Sequence, residues 1–150
     1  MLTIGQKAPE FTLQDAEGKT VSSKDFKGKK MIVYFYPKDN TPGCTAEACS
    51  LRDNYENISG KNAVIIGISA DSEKSHLNFK TKYELPFYLL SDPEKTVIKA
   101  FGAWGEKKMM GKTYDGILRS TFIVDENGII THVFDKVNTK AHGEEVMGVL

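Results

Sequence analysis

The sequence has no excess of charge of either sign. Lysine and arginine together number 20, and aspartate and glutamate together also number 20. Proteins that bind nucleic acid or anionic membranes usually carry a basic surplus on one surface. We therefore expect neither nucleic acid nor a membrane among the partners of this chain.

Long apolar runs are also missing. The longest apolar stretches, such as residues 63–68, are far shorter than the roughly 18 residues that a membrane helix requires. Residues 1–9 lack the apolar core of a secretion signal. The sequence predicts a cytoplasmic protein, and its length of 150 residues predicts one domain over residues 1–150.

Cysteine is scarce, with Cys44 and Cys49 as the only two. Two cysteines are too few for a disulfide scaffold, and a close pair in a reducing compartment is more often catalytic or metal-binding. A zinc site needs four ligands, but the three histidines, His76, His132 and His142, form no paired spacing with the cysteines. The sequence therefore predicts no metal and no cofactor.

Strands and helices alternate along the chain. Apolar and β-branched runs predict strands at residues 31–36, 64–69, 87–90, 118–124 and 129–134, and residues 11–23 read as a hairpin. Helical signals cover residues 41–59, 72–83, 92–101 and 139–150, whereas residues 102–116 lack periodicity and are predicted to form a long loop. The order predicts a thioredoxin-like α/β fold, with a central mixed sheet flanked by helices and an N-terminal β-hairpin.

The segment from residue 37 to residue 49 joins a buried strand to a helix, at the end of a sheet where ligands usually bind. Thr41 is the expected N-cap and Pro42 the first helical residue, so Cys44 falls at the third helical position. A thiolate there accepts hydrogen bonds from free backbone N–H groups and faces the positive end of the helix dipole. Both effects favour the anion over the thiol.

Ionisation alone does not make a cysteine a fast nucleophile. An ordinary cysteine is about 3% ionised at neutral pH, so complete ionisation raises the concentration of the nucleophile only about thirtyfold. Each donor aimed at the charge on a leaving oxygen contributes about 10² to 10³ in rate. The nearby donors are the N–H groups of Gly43 and Cys44 and the hydroxyl of Thr41, while a cation has to come from elsewhere in the chain.

Pro37, Thr41 and Cys44 form the pattern Pro-x-x-x-Thr-x-x-Cys, which resembles the signature of peroxiredoxins. The offset of five residues to Cys49 is similar to the Q type, also called the bacterioferritin comigratory protein group. The likeness extends over nearly the whole chain, including GQKAPEFTLQD, WGEKKMMGKTYDGI and Arg119 in LRSTFIVDENG.

The resemblance implies a thiol-dependent peroxidase that reduces hydrogen peroxide and organic hydroperoxides. In this reading Cys44 is peroxidatic, Thr41 orients the peroxide, Pro37 shields the pocket, and Arg119 holds thiolate and peroxide. The substrate-binding residues are then Gly43, Thr41 and Arg119. The resemblance also implies that thioredoxin is the electron donor. The alternative is a peroxidase that uses one cysteine and is reduced by glutathione. The resemblance further implies a monomer.

Cys49 can reach Cys44 only if the helix opens. In an ideal α-helix, residues five apart have their Cα atoms about 8.6 Å apart, and a disulfide needs less than about 7 Å. We therefore expect oxidation of Cys44 to be followed by unwinding of residues 45–51, which have few large apolar side chains.

Other interpretations use the same residues differently. A thioredoxin-like disulfide reductase normally needs Cys-x-x-Cys, and this chain has Thr41 in place of the first cysteine. A redox-sensing or chaperone-like binding module would use the same cysteine pair. Lys38 and Asp39 are expected to be solvated, the histidines have no assigned chemistry, and Trp104 is expected to be a lid in a mobile loop.

Overall fold

A computed structural model describes all 150 residues. None of its helices has the length and apolar character needed to cross a membrane. The strands are β1 (Thr12–Asp15), β2 (Thr20–Ser22), β3 (Lys30–Phe35), β4 (Ala63–Ser69), β5 (Tyr88–Ser91), β6 (Trp104–Met109), β7 (Lys112–Ile117), β8 (Ser120–Val124) and β9 (Ile130–Phe134). The helices are α1 (Pro42–Asp53), α2 (Tyr55–Ser59), α3 (Glu73–Tyr83), α4 (Thr96–Ala100) and α5 (His142–Met147), with a short 3-10 helix at Ser23–Phe26.

Seven strands form one mixed sheet in the order β2-β1-β5-β4-β3-β8-β9. β3, β4 and β5 are parallel, whereas β8 pairs antiparallel with β3 and β9 with β8. The N-terminal hairpin β1–β2 joins the other side of the sheet through β5. The predicted thioredoxin-like arrangement, with a central mixed sheet and an N-terminal hairpin, is confirmed.

The sheet separates two apolar clusters, and β3 contributes to both because successive side chains of a strand point to opposite faces. Phe35 packs with α4 residues in one cluster. Tyr34 and Tyr36 pack in the other cluster with Cys44 and with residues of α1, α2, α3 and α5. Gly67 on β4 leaves the space that the Tyr34 ring fills, since a Cβ there would lie 2.8 Å from the ring. β3 is therefore buried on both faces, which confirms the prediction of a buried strand before residue 37.

Three predicted helices differ from the observed ones. The expected single helix over residues 41–59 is divided between α1 and α2 at Asn54. The side chain of Asn54 donates to the Ser50 carbonyl, which the backbone N–H of Asn54 would bond in a continuous helix. α4 begins at Thr96, although the carboxylate of Asp92 still accepts from the N–H of Ile98 in its first turn. The closing helix α5 is shorter than the predicted span of residues 139–150.

The prediction of a loop over residues 102–116 is wrong. β6 and β7 form an antiparallel hairpin with a two-residue turn at Met110 and Gly111, both with positive φ. Such turns match the twist of paired strands. Most of the hairpin is exposed on both faces, so it lacks the alternation of apolar and polar residues that marks a half-buried strand. Trp104 begins β6 and is half-buried.

Candidate active site

The site lies where β3 ends and α1 begins. Thr41 occupies the N-cap with extended backbone angles, Pro42 is the first helical residue, and Cys44 is therefore the third. The first N–H groups of a helix, including those of Gly43 and Cys44, have no acceptor within the helix. The predicted position of Cys44 is confirmed, and its side chain is almost completely buried, with 2% exposure.

Arg119 brings a cation to the Cys44 sulfur. It directly precedes β8, and because Ser120 pairs with Phe35 in the antiparallel β3–β8 ladder, it lies at the end of β3 beside α1. Its Nη2 donates to the Cys44 Sγ at 3.3 Å. Burial lowers the pKa of Arg119, but the neighbouring Cys44 and Glu47 outweigh burial and raise it overall. The guanidinium therefore stays charged against the sulfur.

Glu47 is a site residue that the sequence analysis missed. Its side chain is fully buried, and its Oε1 accepts from Nη1 of Arg119. Burial raises the pKa of Glu47 to about 7, and the favourable effect of Arg119 opposes that shift only in part. Its position three residues after Cys44 places it on the same helix face, which is the signal that could have identified it. Glu47 orients the guanidinium toward the sulfur.

The first turn of α1 leaves room for this arginine. A Cβ at Gly43 would lie 3.2 Å from Nη2 of Arg119, so glycine permits the close approach. The hydroxyl of Thr41 donates to the carbonyl of Lys38 at 2.8 Å and makes no capping bond to the helix. Its oxygen keeps lone pairs that can accept a hydrogen bond. Pro37, at the start of the loop, is half-buried.

Cys49 lies on the same uninterrupted helix as Cys44 and is partly exposed. Both cysteines are free thiols. Because α1 is regular from residue 42 to residue 53, the helical spacing keeps the two sulfurs from joining in this conformation. The structure thus shows the unbridged state from which any disulfide has to form.

A second buried layer lies behind Glu47. Nε2 of His142 is 3.8 Å from Oε2 of Glu47, and His142 also contacts the hydroxyl of Thr121 at 2.7 Å. Burial lowers the pKa of His142, although the hydrogen bond with Glu145 opposes the shift. The hydroxyl of Tyr34 is buried without a partner in the protein, as is Oε2 of Glu47. Sequence spacing alone could not place His142 here.

The prediction that Asp39 is solvated is wrong, whereas Lys38 is exposed as expected. Asp39 is 6% exposed, and its carboxylate accepts from the hydroxyls of Tyr36 and Ser75. It also contacts His76. Sequence reasoning missed this cluster because Ser75 and His76 lie on α3, more than 30 residues from Asp39, and only the fold brings them to the loop.

Known proteins resemble this chain over most of its length. Residues 4–133 match the AhpC/TSA family. The chain is 52% identical to a putative peroxiredoxin Bcp of Coxiella burnetii over 99% of both chains. It is 48% identical to peroxiredoxin Bcp of Bacillus subtilis, over 99% of this chain and 95% of that protein.

A solved structure of the Xanthomonas campestris bacterioferritin comigratory protein, described with its alkyl peroxide reduction activity, superposes with a TM-score of 0.86. The two proteins are 35% identical, over 92% of this chain and 88% of that one. The chain therefore belongs to the AhpC/TSA family, in its Bcp or Q-type peroxiredoxin group, and is a thiol-dependent peroxidase.

Proposed function

We propose that Cys44 is the peroxidatic cysteine, and the observation that carries this assignment is the bond from Arg119 to a buried sulfur at the third position of α1. The Cys44 thiolate attacks one oxygen of the hydroperoxide. The O–O bond breaks, and its electron pair leaves with the second oxygen, which takes a proton and departs as water or an alcohol. Cys44 becomes a sulfenic acid.

Groups beside Cys44 bind the hydroperoxide and stabilise the charge that develops on its leaving oxygen. Because the Thr41 hydroxyl already donates to Lys38, its oxygen is free to accept the hydrogen bond of the peroxide O–H. Arg119 and the N–H of Gly43 face the charge that develops on the leaving oxygen. Pro37 covers the pocket at the start of the loop.

Cys49 is the proposed resolving cysteine. Residues 45–51 unwind, and the Cys49 thiolate attacks the sulfur of the Cys44 sulfenic acid. The S–S bond forms as the S–O bond breaks, and the hydroxide that leaves takes a proton from solvent to become water. An external dithiol then reduces the disulfide, and we assign this role to thioredoxin. All these groups come from one chain, so a monomer is a complete catalytic unit.

A single-turnover experiment tests this function. The reduced protein is mixed with one equivalent of hydrogen peroxide, or with an organic hydroperoxide in a parallel arm, and samples are acid-quenched and weighed intact. We expect rapid peroxide loss and one intramolecular disulfide per peroxide. Peroxide loss at the rate of free cysteine would contradict the proposal.

Variants separate the two cysteines and the donor. Cys44→Ser is expected to abolish peroxide consumption, and Cys49→Ser to permit one turnover and then stall. Sustained turnover with thioredoxin and its reductase, but not with glutathione, supports the donor assignment. Equal steady-state rates for Cys49→Ser and the parent would exclude a resolving role for Cys49.

A further inference from the structure

A buried polar cluster fixes the loop in front of α1, and the chemistry above does not use it. His76 on α3 is fully buried, and its Nδ1 lies 2.6 Å from Oδ2 of Asp39. The same carboxylate oxygen accepts from the Ser75 hydroxyl at 2.8 Å, while the Tyr36 hydroxyl donates to Oδ1. Asp39 sits between Pro37 and Thr41, so the cluster holds the centre of the loop.

Both ring nitrogens of His76 have hydrogen-bond partners. Nε2 lies 3.0 Å from the carbonyl oxygen of Leu90, which can only accept, so Nε2 carries a hydrogen. Nδ1 faces the Asp39 carboxylate at 2.6 Å, so a proton shared between Nδ1 and Oδ2 joins the two residues, and the Tyr36 hydroxyl lies 3.4 Å from the same nitrogen. The imidazole therefore links the loop to β5.

The backbone of the loop is fixed as well. The N–H of Asp39 donates to Oδ2 of Asp71 at 2.8 Å, and the side-chain oxygen of Asn40, which has a positive φ, accepts from the Tyr83 hydroxyl at 3.1 Å. Asp39, Asp71 and His76 place three metal-ligand atoms within 4.8 Å of one another. Each of these atoms already has a hydrogen-bond partner in the protein, which indicates an anchor rather than a cation site.

The segment that has to unwind has a different anchor. The Ser50 hydroxyl on α1 accepts from the N–H of Gly143 at 2.8 Å and donates to Glu144 at 3.3 Å, both on α5. The loop of residues 37–41 is therefore held by α3 and by Asp71 after β4, whereas residues 45–51 are held by α5 and, through Glu47, by Arg119. These hydrogen bonds give the two segments separate anchors.

We propose that Asp39 and His76 are positioning residues for the reaction of Cys44 with the hydroperoxide. They hold residues 37–41 so that Thr41 and the first turn of α1 face the substrate, and they keep this half in place while residues 45–51 unwind. This inference rests on the proposed function, because it assigns separate anchors to the peroxide step and to the resolving step.

Two substitutions of His76 distinguish a role in holding Asp39 in place from a role in core packing alone. The amide nitrogen of asparagine occupies the place of Nδ1, so His76→Asn retains a donor to Asp39 and loses the bond to Leu90. Glutamine reaches the place of Nε2, so His76→Gln retains the Leu90 bond and leaves Asp39 without its partner. Rapid mixing with hydrogen peroxide, followed by acid quench and intact mass, measures the peroxide step and disulfide closure separately.

We expect His76→Gln to slow the peroxide step by about tenfold or more, because small displacements of a reacting geometry are costly. His76→Asn is expected to stay much nearer the parent, and both variants should close the disulfide at close to the parental rate. Asp39→Asn should also slow the peroxide step and add little to His76→Gln, because both changes remove one contact. His132→Gln on β9 is the matched control, with both rates unchanged.

Equal peroxide rates for the Asn and Gln variants would overturn the inference, as would a parental rate for Asp39→Asn if His76→Gln does not fold. A parent protein that consumes peroxide no faster than free cysteine would overturn the proposed function and this inference together. A fast parent with equal variants overturns the positioning role alone.

Discussion

The sulfur of Cys44 has two sources of positive charge beside it. The first turn of α1 presents N–H groups that have no acceptor within the helix, and Arg119 donates to the sulfur at 3.3 Å. The arginine is held by Glu47, which occupies its second donor group. This three-residue arrangement fixes both the charge and the direction of the guanidinium, which a point charge alone would not do.

Arg119→Lys tests the direction of the guanidinium rather than its charge. Lysine keeps a positive charge but cannot donate in a fixed fork to the sulfur and to Glu47 together. We expect the second-order rate constant with hydrogen peroxide to fall by about 10²-fold. Arg52→Lys is the matched control, since Arg52 donates to the Tyr83 carbonyl and to Asp53, away from the peroxide. An Arg119→Lys protein with the parental rate would contradict this role.

Glu47 makes stability depend on pH in a defined direction. Its pKa is about 7 in the folded protein and 4.5 as the ordinary value. Below about pH 4.5 the carboxyl is protonated in both states, and between about 4.5 and 7 only the unfolded state ionises. The free energy of unfolding should therefore fall as pH rises through this window, by up to about 3 kcal/mol, from 7 − 4.5 = 2.5 pH units.

Glu47→Gln should lack this fall. Urea denaturation of the parent and the variant at pH 5 and pH 7.5 gives the difference in unfolding free energy at each pH. His142 titrates in both proteins and largely cancels in this difference. A difference that does not change with pH would show that Glu47 ionises at its ordinary pKa.

Among the elements, α5 holds residues 45–51 of α1, the segment that unwinds in the proposed cycle. Gly143 lies against Ser50 and Asn54 so closely that a Cβ would overlap the Ser50 carbonyl and the Asn54 side chain. Val146 of α5 is fully buried in the cluster that includes Cys44 and Ala48. Unwinding of α1 therefore has to break these α5 contacts.

Gly143→Ala should push α5 away from α1. We expect the free energy of unfolding to fall by about 1–3 kcal/mol from overpacking, and closure of the Cys44–Cys49 disulfide to become faster. Gly148→Ala is the matched control, because its Cβ would meet only the Glu145 and Glu144 carbonyls, at 3.4 and 3.7 Å, both ordinary contact distances within α5. Denaturation and rapid-quench closure rates measure both effects. Slower closure in Gly143→Ala than in the parent would contradict the role of α5.

Which elements could be predicted from sequence depends on burial. Strands with a continuous apolar run, such as β3 and β4, and a helix start marked by Thr41 and Pro42, were identified because their signals are local. The β6–β7 hairpin was missed because exposed strands carry no apolar alternation. Glu47, His76 and His142 were missed as site residues because their partners are distant in sequence and only the tertiary fold brings them together.

Over the whole molecule, the proposed cycle leaves the sheet in place and moves α1. β3 and β8 carry the two sides of the site, the loop before Cys44 and Arg119, and every residue of β8 is buried. The sequence motif located Cys44, the proposed nucleophile, and the sheet topology explains how Arg119, 75 residues away, reaches its sulfur.

Amide hydrogen exchange of the reduced and the oxidised protein, followed by mass spectrometry of peptides, shows whether α1 opens when its two cysteines are joined. We expect residues 45–51 to exchange slowly in the reduced protein and much faster once Cys44 and Cys49 are joined, while residues 38–41 and β3 remain as protected as before. Equally slow exchange of residues 45–51 in both states would contradict this opening of α1.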